Sequence, residues 1–257
     1  KQKRILSEGN NFTFAVALSA DSDRNNGHIE IVGAGPGDPE LITLKAVRII
    51  EQSPVIAVPK TGESRRVALS IAEQTIPHIH EKEVLSLHFP MTKDKCMIDT
   101  NRDEIAKQII DILKEGKDIA FLTLGDPSVY STYWYIHQRV VKQGYQAQMI
   151  AGVPSFCAVA AKLGISLAEA EQPLHIIPGS YPCTEQMLQT EGTKVIMKTG
   201  RSVEQVKKLL KQHGYYENAK MVQNCGLEQE HVFQSLDEAT NDASYFSIIV
   251  CKEEDNQ

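Results

Sequence analysis

From His28 onward the chain alternates short apolar runs rich in Val, Ile and Phe with longer stretches whose apolar residues recur three and four apart. This alternation constrains the fold more than any other feature. A short continuous or period-two apolar run belongs in a sheet, whereas a 3.6-residue period gives a helix one buried face. "HIEIVGA", "PVIAVP", "EVLSLHFP", "DIAFLTLGDP" and "YQAQMI" read as strands. Between them, "PELITLKAVRIIEQS", "SRRVALSIAEQTI", "RDEIAKQIIDILKEG" and "SVYSTYWYIHQRVVKQG" read as helices. The first carries Leu41, Leu44, Val47 and Ile50 at helical spacing, and Gly116 closes the third. Such β/α alternation builds a mainly parallel sheet covered by helices.

After "AGVPS" the pattern changes. A helix "SFCAVAAKLG" leads to a strand "PLHIIPG", a segment near 184–191, a strand "KVIMKT", a helix "SVEQVKKLLKQHG" and a strand "AKMVQN". A polar connection and a last strand "YFSIIVCKE" follow. Strands outnumber helices here, so this sheet is expected to be mixed. The fold class is therefore α/β, with two α/β domains at 28–151 and 152–257, joined near residues 150–155. Residues 1–27 are polar apart from a run at Phe12 to Leu18 and read as an extension or linker, or as the tail of a preceding module.

At 257 residues the chain is long enough to bury a full core. Its net charge of −6 argues against non-specific nucleic-acid binding. No apolar run approaches the roughly 18 residues of a membrane span, and no signal-peptide pattern is present. The five cysteines (Cys96, Cys157, Cys183, Cys225, Cys251) are scattered, with no CxxC pair. That suggests neither a disulfide framework nor a zinc site, and it suits a reducing, cytoplasmic setting. No metal site is expected.

The loop after the first strand, "GAGPGDP", invites comparison with the dinucleotide fingerprint G-x-G-x-x-G. Gly33 and Gly35 fill the first two positions, but the third is Asp38, followed by Pro39. A carboxylate then stands where a pyrophosphate would bind. Asp38 suits a helix cap with Pro39 at the first helical position. The device returns at "FLTLGDPSVYST", residues 121–132. Ligands of open α/β sheets bind outside the carboxyl ends of strands, where both loops lie. Two anionic, proline-stiffened loops suit a cationic or hydroxyl-rich ligand, such as a sulfonium with a ribose, better than a phosphate.

These motifs resemble the tetrapyrrole (corrin and porphyrin) methyltransferases, which use S-adenosyl-L-methionine. The resemblance runs from about His28 to Lys252 and rests on "VGAGPGDPELITLKAVRII", "FLTLGDPSVYST", "AGVPSFCAVAAKLG" and "YFSIIVCKE". Within the family, "HFPMTKD" at 88–94 and the Tyr130-Ser131-Thr132 run are similar to the subgroup that methylates carbon 20 of precorrin-2 or of its cobalt complex, in cobalamin biosynthesis. "TLGD" is nearer the cobalt-dependent branch. The resemblance implies a two-domain tetrapyrrole methylase fold, a homodimer, and a cofactor held between the domains. It implies cofactor contacts at Pro36, Gly125, Asp126, Val129, Ser131, Thr132, Phe156 and Met197, and it places Gly35 with the substrate.

Methyl transfer to carbon is an in-line displacement that needs alignment and water exclusion more than acid–base machinery. The polycarboxylate substrate needs a local basic rim, for which Lys60, Arg65, Arg66, His88, Lys93 and Lys95 are candidates. His88 is the candidate proton acceptor, with His137, His175 and His231 as rivals. Tyr130 is a candidate lining the substrate trough. Any cobalt would arrive inside the macrocycle. The competing readings are methylation at another ring position or on uroporphyrinogen III, an NAD(P)-dependent oxidoreductase, and a non-catalytic S-adenosylmethionine-binding domain.

Overall fold

A computed structural model describes residues 26–60, 66–90, 92, 94–179, 181–199, 202–240 and 243–252. The extension at 1–27, apart from its last two residues, and the candidate residues Arg65 and Lys93 lie outside the described residues.

Five strands, β1 (Ile29–Gly33), β2 (Val55–Lys60), β3 (Glu83–His88), β4 (Ile119–Thr123) and β5 (Ala147–Ile150), form a sheet in the order β3-β2-β4-β1-β5. Every pairing in it is parallel. The helices α1 (Leu44–Gln52), α2 (Val67–Thr75), α3 (Lys95–Lys114) and α4 (Trp134–Lys142) cover it on both faces. Successive strand residues point to opposite faces, so each strand supplies two cores. Ile29, Ile31, Val55, Ala57, Ile119 and Phe121 pack with Ile105, Ile109 and Leu113 of α3 and Ile136 and Val140 of α4. Val32, Ile56, Val58, Ala120 and Leu122 pack with Ala46 and Ile50 of α1 and Leu69 and Ala72 of α2. Burial on both faces explains why these strands read as continuous apolar runs.

The second sheet holds β6 (Leu174–Pro178), β7 (Thr193–Met197), β8 (Ala219–Gln223), β9 (His231–Phe233) and β10 (Ser247–Cys251), in the order β6-β7-β10-β8-β9. Only β6 and β7 run parallel, so the sheet is mixed. On one face, α6 (Cys183–Leu188) and α7 (Val203–Gln212) bury Leu188, Val206 and Leu210 against Ile177, Ile196, Met221 and Ile249. On the other, α5 (Ser155–Leu163) brings Phe156 and Val159 onto Val195, Val222, Ile248 and Val250, and Leu41 and Val129 from the first half join that cluster.

Three local readings of the sequence are corrected. The segment after the first glycine loop is not one helix. A 3-10 turn at Pro39–Leu41 ends where Ile42 and Thr43 become extended, and α1 starts afresh behind a Thr43 side-chain cap on the Ala46 N–H. Leu44 is consequently 90% exposed rather than on the buried face. The helix expected from Ser128 begins only at Trp134, because Tyr130 takes a left-handed φ of 50° that a helix cannot contain. The polar connection after β8 contains β9, a three-residue antiparallel strand too short to show a period.

Candidate active site

The carboxyl ends of β1, β4 and β5 meet backbone to backbone. Ala34 donates its N–H to the Thr123 carbonyl at 2.9 Å, and Gly125 donates to the Gly35 carbonyl at 2.7 Å. A Cβ on Gly33 would lie 2.6 Å from the Gly125 carbonyl oxygen, and one on Gly152 would lie 2.3 Å from the same atom. These glycines are required because main chain from three strands converges there.

The third glycine of the first loop has a different neighbour. A Cβ on Gly37 would sit 2.3 Å from the Cys225 carbonyl oxygen, and one on Gly226 would sit 2.4 Å from the Asp38 nitrogen. The "GPGD" turn thus presses on the loop that follows β8. Glu230 steadies that loop by accepting from the Gly226 N–H at 2.8 Å and pairing with Lys162 at 2.7 Å. The space that the missing side chain of Gly37 leaves is taken up by the protein's own backbone. Asp38 caps the 3-10 turn through the Glu40 N–H, at 2.9 Å.

Asp126 is similarly committed. One carboxylate oxygen accepts from the Ser128 N–H and hydroxyl, and the other accepts from the Gly152 N–H at 2.9 Å. Burial alone raises its carboxyl, but the Ser128 hydroxyl and the two N–H groups more than offset this and hold it below the usual carboxylate range.

The chain from Ser128 to Tyr133 leads over the sheet edge toward the second half. Ser131 Oγ lies 3.3 Å from Thr123 Oγ1 and accepts from the Tyr133 N–H at 3.3 Å, while Thr132 is exposed. Tyr130 Oη donates to the Ile176 carbonyl of β6 at 3.1 Å. Val129, Phe156 and Met197 fall in one apolar cluster. Phe156 is 7% exposed, Met197 is half-buried at the end of β7, and Gly35 and Pro36 are buried in the first loop. A Cβ on Gly125 would meet nothing closer than 3.7 Å, so one side of this turn is open. An apolar wall beside an open glycine turn fits a nucleoside and a sulfonium.

The candidate basic rim is more dispersed. Lys60 and His88 end β2 and β3 and are paired in register. His88 is exposed, and its carbonyl accepts from Asn101 Nδ2 at 3.1 Å. Since β2 separates β3 from β4, His88 stands two strand spacings, about 10 Å, from the Asp126 turn on the same end of the sheet. Arg66 and Lys95 are exposed at the starts of α2 and α3.

The rival histidines lie on other elements. His137 of α4 stacks on Trp134 with ring centres 5.1 Å apart, and burial lowers its pKa. His175 Nε2 donates to the Glu191 carbonyl at 2.8 Å, and His231 packs its edge on Phe233. Sequence reasoning missed Gly152, which marks a convergence of distant strands, and Lys198, whose amine donates to the Tyr130 carbonyl at 3.2 Å. Gly152 had one signal, a glycine directly after a strand. Lys198 had none. Among the described residues no group of three or more His, Cys, Asp or Glu side chains could hold a metal ion, and no helix is long and apolar enough to cross a membrane.

Comparison with known proteins gives this geometry a context. The chain is 33% identical over 232 residues to the cobalt-precorrin-2 C(20)-methyltransferase of Salmonella typhimurium, covering 88% of this chain and 96% of that enzyme. A cobalt precorrin-4 methyltransferase superimposes with a TM-score of 0.70 at 20% identity, covering 91% of this chain and 98% of its own. The uroporphyrin-III C-methyltransferase of Thermus thermophilus, solved with S-adenosyl homocysteine, superimposes with a TM-score of 0.64 at 20% identity over 88% of this chain and 98% of that one. At that identity the two structures speak for the fold alone. The family model described as Tetrapyrrole (Corrin/Porphyrin) Methylases matches residues 28–240, and the chain belongs to that family.

Proposed function

We propose that the protein transfers a methyl group from S-adenosyl-L-methionine to carbon 20 of precorrin-2 or its cobalt complex, as a step of cobalamin biosynthesis. The observation that carries this reading is the 33% identity to an enzyme of that name over 96% of the enzyme's length. The bound cofactor would supply an electrophilic methyl group on a sulfonium.

Pro36, the Gly125–Asp126 turn, Ser131 and Thr132 hold it, with Val129, Phe156 and Met197 as the apolar wall that keeps water from the reacting centre. Asp126 acts mainly by fixing the loops, because both its oxygens already accept from protein donors. Its residual negative charge also favours a cationic donor over a neutral product. Gly35 allows close approach by the macrocycle. Lys60, Arg65, Arg66 and Lys93 form the carboxylate-facing rim, and His88 at the same strand ends takes up the proton that leaves carbon 20. Tyr130 lines the trough. We further propose a cytoplasmic homodimer, with its two domains meeting near residues 150–155.

The reading is tested by anaerobic incubation with methyl-labelled S-adenosyl-L-methionine and either metal-free precorrin-2 or cobalt-factor II. Mass and carbon NMR should show one added methyl at carbon 20, and the preferred substrate identifies the branch. A methyl on another carbon refutes the regiochemistry. Tight cofactor binding without any transfer refutes the catalytic claim.

A further inference from the structure

Lys198 and Tyr130 are two of five non-glycine residues with positive φ among the described residues, at 56° and 50°, and they touch across the two halves. A left-handed backbone at a residue with a long side chain is costly, and where it persists the surroundings hold it in place. Lys198 follows the end of β7, next to the end of its parallel neighbour β6, where Pro178 and Met197 are in register. Its ammonium donates to the Tyr130 carbonyl and lies 5.2 Å from the centre of the Tyr130 ring. Tyr130 in turn donates to Ile176 of β6.

The charge of Lys198 is uncompensated. Lys114, Lys117, Lys162, Lys207 and Lys252 each have a carboxylate within ion-pair distance, whereas Lys198 has none among the described residues. Burial holds its amine below the ordinary lysine value. A carbonyl and a ring face compensate a cation only partly, so a carboxylate arriving there would be bound strongly. The immediate surroundings are aromatic and open. Tyr130, Tyr181 and Tyr245 are 42%, 58% and 55% exposed; burial raises the phenols of Tyr130 and Tyr245, with Cys183 and then Tyr181 adding to the first and Tyr181 to the second. An exposed phenol ring against an ammonium that has no carboxylate partner among the described residues, with Tyr181 near that ring, suits a flat, apolar ligand with carboxylate arms.

We propose that Lys198 binds a side-chain carboxylate of the tetrapyrrole, with Tyr130, Tyr181 and Tyr245 bordering the macrocycle, so that this pair of contacts fixes which ring edge faces the methyl donor. The inference rests on the functional reading above and adds a substrate anchor on the second half of the chain, opposite the strand-end rim of Lys60 and His88. The shared chemistry is a carboxylate, which the donor's amino-acid end also carries, and the test separates the two.

Lys198→Met and Lys198→Arg are compared with the wild type by calorimetry with S-adenosyl-L-homocysteine, by absorbance titration with uroporphyrin III, by KM and kcat for the methylated tetrapyrrole, and by thermal melting. Loss of one charged hydrogen bond predicts that Lys198→Met weakens uroporphyrin binding and raises the tetrapyrrole KM by about tenfold or more. S-adenosyl-L-homocysteine affinity should stay within about twofold and Lys198→Arg should retain most of the tetrapyrrole binding, as expected for a charge contact. If Lys198→Met does not fold, Lys198→Asn, which tolerates the left-handed backbone, serves in its place. Unchanged tetrapyrrole binding in the charge-loss variant overturns the proposal. So does a loss confined to S-adenosyl-L-homocysteine, which assigns the lysine to the donor's carboxylate. Equal weakening of both ligands with a lower melting temperature also overturns it, making Lys198 a strut between the halves. A wild-type protein that neither binds nor methylates any tetrapyrrole refutes the functional reading itself, a result distinct from a binding-competent wild type matched by Lys198→Met.

Discussion

The Asp126 carboxylate accepts a hydrogen bond from the Gly152 N–H at 2.9 Å, joining the turn after β4 to the turn after β5 through a single side chain. Its other oxygen holds Ser128, so removing the carboxylate strands several donors at once. Asp126→Ala should destabilise the protein by about 1–3 kcal/mol, the cost of unpaired buried polar groups, and Asp126→Asn by less. Because the folded carboxyl is held below its ordinary value, its contribution is present above the unfolded pKa of about 3.9 and is lost as pH falls through the folded value. Urea unfolding of wild type and Asp126→Asn at pH 7 and pH 3 should therefore show the difference shrinking in acid. An undiminished difference would refute the ionic origin.

The glycines at strand ends differ in what they tolerate. Gly37→Ala forces a methyl to within 2.3 Å of the Cys225 carbonyl, and Gly152→Ala forces one to within 2.3 Å of the Gly125 carbonyl. Each should cost about 1–3 kcal/mol and weaken S-adenosyl-L-homocysteine binding as the loops shift. Gly164→Ala, at the left-handed end of α5 with nothing within 4 Å, should cost about 1–2 kcal/mol from backbone strain and leave binding unchanged. Melting curves and calorimetry on the three variants check the contrast.

His28 lies 2.7 Å from both Glu30 and Asp118 at the amino end of the sheet. The hydrogen bond that its ring donates to Glu30 is the largest influence and raises its pKa, with burial opposing and Asp118 assisting. A raised folded value means that the stabilisation is complete below the unfolded pKa of about 6.5 and disappears as pH rises through the folded one. Wild type should lose stability relative to His28→Gln as pH rises above about 6.5. Parallel curves for the two proteins would sink the assignment.

The roles proposed for His88 and Tyr130 are separable by mutation. His88→Ala should lower kcat while leaving S-adenosyl-L-homocysteine affinity unchanged, as expected for a general base worth about 10²-fold or more. Tyr130→Phe, which breaks only the bond to Ile176, should raise KM for the tetrapyrrole by a few-fold, as expected for a net hydrogen bond of about 1 kcal/mol. A His88→Ala variant with unchanged kcat assigns the proton to another acceptor.

Much of this arrangement was legible in the sequence, for identifiable reasons. The inner strands β1, β2 and β4 were readable because parallel strands buried on both faces are mostly apolar, Glu30 and Thr123 being the polar exceptions in β1 and β4. The mixed second sheet followed from the excess of strands. Leu44 was misread because its spacing with Val47 matches a helix face, whereas the Thr43 cap re-sets the phase so that Ala46 and Ile50 face inward. The loops at the strand ends could be identified as a site by their position. Their glycines could not be interpreted without the partners, since Cys225 lies far along the chain from Gly37 and Gly125 from Gly33. Lys198 was invisible for the same reason: its meaning comes from Tyr130, which no local pattern links to it.

The last strand of the chain, Ser247–Cys251, lies at the centre of the second sheet, hydrogen-bonded to β7 on one side and β8 on the other. A polypeptide halted before Ser247 would have two half-sheets, and Phe156 would lose Ile248 and Val250 from the surface it packs on. The apolar wall that holds Phe156 is therefore completed only by a strand far along the chain, and a truncation before Ser247 should leave it unformed.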